Sequence, residues 1–484
     1  MFLGIDIGTS AVKASLVDSD LQLVDSADAA MRSSHPQSGW SEQHPDLWRA
    51  ATITAVRDLI SRHDAAQVRA IGLSGQMHGA VLMDAGQSVL RPAILWNDGR
   101  AAAECGALER DHPDLAHVAG VRPMPGLTGP KLPWLARHEP EIYGRIAHIC
   151  LPKDHLGLWL HGALATDASD AAGTWWLDQK THDWSPELCK ATQTNPDWLP
   201  PVLHGTDIAG RLRPEAAEAL GLPAGIPVSA GAGDAAAGAV SLGAVADGTA
   251  FISLGTSGQF FVPTTRYSAA PEVGLHSFAH TLPDLWFQMA AMLNGARPMS
   301  WFADVANRPI PVLLAMAADA PGQTPLFLPY LTGERSPHGD AAIRGAFYGL
   351  ENDTGPGEMM RAVIHAIAYS LCDAADSVRQ TTTVPEPLLT IGGGTRSDLA
   401  LQTIADATGL TLGRGTGADV GPAVGAARMA AVACGAATVA DLAQRPEIDR
   451  EFAPNPEQMA FHAERLSRYR ALYEALKPMR PGQN

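Results

Sequence analysis

Basic charge is scarce in this chain. Its 484 residues hold 35 Lys and Arg against 51 Asp and Glu, a formal net charge of −16. No cationic cluster stands ready to neutralise a phosphodiester backbone or an anionic lipid surface, which argues against nucleic acid and membrane as partners. An anion held here depends on local backbone N–H groups and a divalent cation rather than on global attraction. Apolar runs long enough to cross a bilayer are missing, and Met1 leads into a strand-like run with no basic segment or small-residue cleavage site, so the cytoplasm is the expected compartment. Cysteine is sparse too. Cys105, Cys150, Cys189, Cys372 and Cys434 are odd in number and scattered, with no Cys-x-x-Cys pair, which excludes a disulfide frame or zinc site and leaves small buried hydrophobes. Neither a P-loop nor the Rossmann glycine spacing occurs, which disfavours a P-loop NTPase and a dinucleotide oxidoreductase.

What is present is the rhythm of an α/β protein. Strand-like runs at 2–7, 12–17 and 68–73 alternate with a helical segment at 47–60, and the length calls for two hydrophobic cores. An Ala- and Gly-rich stretch at 231–248 reads as a tightly packed helix, and the domain division is set near residue 245, giving 1–245 and 246–484. Proline- and glycine-rich stretches at 122–133 and 321–337 carry or border Leu127, Trp134, Phe327 and Tyr330, the mark of ordered loops.

Two Gly-Thr-Ser turns, Gly8-Thr9-Ser10 and Gly255-Thr256-Ser257, lie about half a chain apart, each after an apolar run. Alone, either is what an ordinary hairpin turn looks like. Together, with Asp6 at the polar end of the first run, they read as two phosphate cradles in two similar halves closing on one ligand. Thr9, Ser10, Thr256 and Ser257 would bond phosphate oxygens, and Lys13 would add charge there or stand as a solvated strand lysine. Asp6 would hold Mg²⁺ through water or serve as a turn carboxylate. A third turn, Gly392-Gly393-Gly394, offers a nucleoside a surface free of side chains, or is a tight strand-to-helix loop.

The candidate base is Asp234, at the start of the Ala-rich helix. It is a helix cap, a reactive group in a crowded pocket, or both; as a base it would accept a hydroxyl proton late in phosphoryl transfer, close to the metal. Gln76, Met77 and His78 follow a strand, where α/β proteins display ligand contacts, and His78 is either a hand for a polyol or a satisfied loop histidine. Trp96 and Asn97 offer a plate and an amide to a sugar, with a core tryptophan beside an Asp98–Arg100 ion pair as the plainer reading.

These segments resemble the FGGY carbohydrate kinases, within the actin/hexokinase/Hsp70-like ATPase superfamily, and among them the bacterial xylulokinases. The likeness runs from Gly4 to at least Arg428 and is carried by 76–79, 91–100, 126–135, 151–154, 167–174 and 333–337. It implies two RNase H-like domains with an interdomain cleft, the first holding the sugar and one phosphate turn, the second the nucleotide. By the same likeness Asp234 is the general base, Met77-His78 a substrate contact and Trp96 a wall of the pocket. Asp6, Thr9 and Thr256 form the Mg-phosphate apparatus, and Gly392-Gly393 meet adenosine. The implied reaction is ATP-dependent phosphorylation of D-xylulose to D-xylulose 5-phosphate, with ATP, Mg²⁺ and a small sugar as the ligands. Ala235 stands where Asn or Gln is expected and His365 where a Glu is expected, which keeps D-ribulose and 1-deoxy-D-xylulose open. Met77-His78 stand where the kinases acting on glycerol carry an Arg-Glu pair, which argues against glycerol. A chaperone-like or filament-forming ATPase shares the same core, but the chain has no peptide-binding appendage. A homodimer stays open.

Overall fold

The structure is a computed structural model that describes residues 1–320, 324–416 and 421–480. Each half of the chain builds a seven-stranded mixed sheet. In the first, β1 (Phe2–Ile7) is antiparallel to β2 (Ala11–Val17), which pairs with β3 (Leu23–Ala30), and β1 is parallel to β4 (Ala70–Gly75) on its other side. β5 (Ile208–Arg211) closes that edge against β6 (Pro227–Ser229), and both β6 and β7 (Ala232–Gly233) run parallel to β4. The second sheet repeats the wiring. β8 (Phe251–Leu254) is antiparallel to β9 (Gly258–Thr264), and β10 (His276–Ala279) and β11 (Trp286–Met292) extend that side. On the other side β8 is parallel to β12 (Leu388–Ile391), followed by β13 (Leu412–Gly415) and the antiparallel edge β14 (Ile448–Phe452). This is the doubled α/β architecture that the resemblance implies.

Central strands are buried on both faces, and β1 shows it: Phe2, Leu3, Ile5 and Ile7 all lie in the core. Helix α1 (Pro45–Ile60) starts two residues before the expected segment, because His44 accepts the Asp46 N–H and Pro45 fits the first turn. The strand expected at 68–73 is displaced to 70–75, and residues 131–133 of the expected loop are the first turn of a helix, Lys131–His138. Part of the loop at 321–337, residues 321–323, lies outside the described residues, and 326–328 is a strand. Four cysteines are buried as expected and Cys434 is half-buried; all are free thiols. Among the described residues no helix is long and apolar enough to cross a membrane.

Helices α2 (Pro152–His161) and α3 (Ala168–Ala172) belong to the first half, and the Ala-rich stretch condenses to α4 (Asp234–Ser241). The second half contributes α5 (Pro356–Arg379), α6 (Pro422–Ala433) and α7 (Pro456–Leu476). Although late in sequence, α6 lies across the first sheet. A Cβ at Gly4 would stand 1.7 Å from the Ala423 carbonyl oxygen, one at Gly72 1.9 Å from that of Ala426, and one at Gly425 1.9 Å from that of Ala237. Backbone therefore rests on backbone, and α4, α6 and both sheets share one apolar cluster.

Candidate active site

Register brings the carboxylates together. Asp6 of β1 pairs with Ser74 of β4, which pairs with Ala232 of β7, so Asp6 and Asp234 emerge at the C-terminal ends of parallel strands on either side of β4. Gly233 caps α4 and Asp234 is its first residue, accepting only the N–H of Ala235 at 2.8 Å; the cap role does not apply. Burial pushes Asp234 up to about 6, with Arg335 of the second half pulling it back. Burial and then the charge of Asp234 push Asp6 up to about 7. Asp6 Oδ1 and Ser74 Oγ are buried without hydrogen-bond partners among the described residues, and Lys13 pairs with Asp6 from β2.

This donor set fits Mg²⁺. An orphaned carboxylate oxygen beside a second carboxylate suits an ion that takes one or two carboxylates and completes its shell with phosphate oxygens and water. No group of three or more His, Cys, Asp or Glu that could hold a metal by itself exists among the described residues.

Next to Asp234 lie Met77 and His78. A Cβ at Gly233 would meet Met77 Cγ at 2.8 Å, and one at Gly173 would meet His78 Nδ1 at 2.5 Å, so two glycines shape this wall. His78 has a left-handed backbone, φ 71°, and its carbonyl accepts from Lys131 Nζ at 2.8 Å and Thr128 Oγ1 at 3.2 Å. Its Nδ1 lies 2.6 Å from the Gly173 carbonyl, so Nδ1 carries the proton and Nε2 keeps its lone pair for a ligand. Burial holds the ring neutral, its pKa pulled down to about 3.

The first glycine turn is wired into the same wall. Thr9 Oγ1 donates to Gln76 Oε1 at 2.8 Å and accepts from Trp96 Nε1 at 2.9 Å, while Gln43 Nε2 bonds the Thr9 carbonyl and accepts from Gln76 through its Oε1. Gly8 N–H closes the hairpin on the Ala11 carbonyl. The Thr9 hydroxyl is therefore already engaged, and Gln76 is a buried brace rather than a surface hand; Ser10 is exposed and free of side-chain partners. Trp96 and Asn97 are exposed. The Asp98–Arg100 pair exists, but the aromatics over Arg100 are Trp40, 3.7 Å from the guanidinium, and Trp134 at 5.1 Å, while Trp96 turns to Thr9.

In the second half, Thr256 and Ser257 are exposed, and the Gly255 and Thr256 carbonyls accept from Ala296 and Gly295. Gly392, at φ 96°, and Gly394 pack on Leu254, so the second and third turns form one cluster. Gly393 is open to solvent, whereas Gly394 is buried beneath Leu254 and Ala296. Arg335 links the halves: its Nε bonds the Ala291 carbonyl on β11, and its charge acts on Asp234. His365 is outside the site, packed between α5 and α7 against Phe461 and His462. Sequence reasoning singled out the segments of Arg335, Lys131 and Thr128 without assigning these side chains a role, because each acts on a partner far away in sequence.

Two sheets on one plan, each with a glycine turn after its central strand, and a half-buried carboxylate at the start of α4, match the two-lobed architecture expected of the sugar kinases. The chain belongs to the FGGY family of carbohydrate kinases: the family's N-terminal domain matches residues 1–241 and its C-terminal domain residues 250–434. It is 42% identical over 483 residues to the xylulose kinase of Escherichia coli K12, covering 99% of this chain and 100% of that protein. Among solved structures, that of a "xyloylose kinase" from Brucella ovis superposes with a TM-score of 0.94 at 39% identity over 99% of each chain. A ligand-bound xylulose kinase from Lactobacillus acidophilus gives 0.93 at 25% identity over 98% of each.

Proposed function

We propose that this protein phosphorylates D-xylulose with ATP, giving D-xylulose 5-phosphate and ADP. The observation that carries the reading is Asp234: a half-buried carboxylate at the start of α4, following Gly233 that packs on Met77, pushed up to about 6 by burial and pulled back by the charge of Arg335. The terminal hydroxyl of the sugar gives its proton to Asp234 as its oxygen attacks the γ-phosphorus, and the bond to the β-phosphate oxygen breaks. His78 Nε2 accepts from a sugar hydroxyl, and Trp96 covers the sugar face. Lys13 and the N–H groups of the exposed turn at Ser10, with the free hydroxyls of Thr256 and Ser257, receive phosphate oxygens, while Gly392 and Gly393 lie against the nucleoside. Mg²⁺ held by Asp6, with Asp234 close by, would neutralise charge on the phosphates. Residues 1–245 carry the sugar wall and 246–484 the nucleotide turns, and the setting is the cytoplasm, where ATP is at hand. The names of the relatives support D-xylulose over other ketopentoses, and His365 packs against Phe461 and His462 rather than in the wall of Met77 and His78.

The test is ATP turnover with a panel of ketopentoses. Turnover should be low without sugar, rise most with D-xylulose, and fall on the order of 10²–10⁴-fold in Asp234→Ala with ATP binding retained. Sugar-independent turnover indifferent to that substitution would refute the reading, and a higher specificity constant for D-ribulose or 1-deoxy-D-xylulose would move the substrate.

A further inference from the structure

Behind Asp234 lies a polar cluster with no surface of its own. Lys153 of α2 and Asp167, Ser169 and Asp170 around α3 are all fully buried. Lys153 Nζ meets Asp154 Oδ1 at 2.5 Å, Asp167 Oδ1 at 3.0 Å and Asp170 Oδ2 at 3.4 Å. Asp167 Oδ2 accepts the Ser169 hydroxyl at 2.5 Å and the Ser169 N–H at 2.8 Å. Ser169 Oγ in turn accepts the N–H of Gly233, at 3.1 Å.

We propose that Ser169 is a positioning residue for Asp234, fixing the peptide that precedes it through a chain running from Lys153 by way of Asp167 to the Gly233 N–H. The role rests on Asp234 being the base. The Lys153–Asp167 link is an ion pair, and the two hydrogen bonds at Ser169 each have one direction. Gly233 N–H can only donate, so the Ser169 proton must point to Asp167, whose other oxygen is turned to the lysine. Gly233 is fixed from the opposite side as well, since no Cβ fits between it and Met77. One glycine thus sets the base on its C-terminal side and packs against the sugar wall. Charge in the cluster supports the same arrangement. Three buried carboxylates surround one ammonium, an excess of negative charge that burial disfavours. Burial pushes Asp170 well up, against the pull of Lys153 and with the charges of Asp154, Asp167 and Asp234 adding to the rise.

The experiment compares Ser169→Ala and Asp234→Asn with the parent, in the full chain. In Ser169→Ala, kcat should fall roughly 10- to 100-fold with KM for ATP within about twofold of the parent, and the acid limb of the pH profile of kcat/KM should move. Unchanged kcat and pH profile in Ser169→Ala, with Asp234→Asn inactive, removes the positioning role alone. Turnover that survives Asp234→Asn removes the base and the positioning role together. Should Ser169→Ala fail to fold, Ser169→Cys keeps the volume with a poor sulfur acceptor and is judged by the same two measurements.

Discussion

Asp6 and Asp234 share a poorly solvated corner, and their protonation sets two measurable limits. With Asp234 near 6 in the free protein, kcat/KM should lose about tenfold per pH unit below that value, because the base is then occupied by a proton. A profile flat down to pH 5 would mean that Asp234 titrates lower than its burial implies. Asp6 bears on stability. Its pKa rises from 3.8 to about 7 on folding, so the folded state binds the extra proton between those values and stability declines as pH rises through that window. In protein free of nucleotide and divalent metal, Asp6→Asn should therefore match the parent Tm below pH 4 and exceed it by a few degrees at pH 8, while turnover is lost. Scanning calorimetry at the two pH values checks the sign. Asp6 and Asp234 were legible because each is a lone carboxylate at the polar end of an apolar or small-residue run. Arg335 was not legible as a neighbour of the base, since the contact that matters joins residues about a hundred positions apart, and Ser169 reads locally as a helix-start serine.

At the level of elements, the repeated turn proved to be one copy of a larger repeat. β1 and β8 each pair antiparallel with the strand after their glycine turn and parallel with a strand much later in the chain. The loops after those later strands therefore stand in equivalent places, Gln76–His78 in one half and Gly392–Gly394 in the other. Sequence showed the three turns but not this equivalence, since the partner strands share no motif. The starts of the first strands and of α1 were legible within two residues, the offset of α1 coming from cap geometry at His44, whereas the Ala-rich stretch begins its helix three residues late and Lys131 starts a helix inside an expected loop. The wall at Gly173 gives a prediction at this scale. In Gly173→Ala the new methyl meets the His78 ring and Met77, so KM for the sugar should rise about tenfold or more while KM for ATP stays put. Equal change in both constants would mean a general loss of fold rather than a displaced sugar contact.

Across the whole molecule, the two halves are joined by a shared apolar cluster in which α6, from late in the chain, covers the first sheet. The expected division near 245 anticipated two lobes but not this return, because an Ala- and Gly-rich helix carries no mark of which sheet it will cover. Larger residues at Gly4 or Gly72 have no space to enter: Gly72→Val should lower Tm and the yield of folded protein far more than Gly393→Ala, which faces open space, and thermal melts of the pair test this. Where carbonyls seat directly on glycine, helix and sheet lie together like planks laid flat, and a single methyl at Gly4, Gly72 or Gly425 would prise α6 off the first sheet or off α4. Three residues without side chains, none of them near the sugar wall, thus set how closely the late part of the chain can lie on the early part.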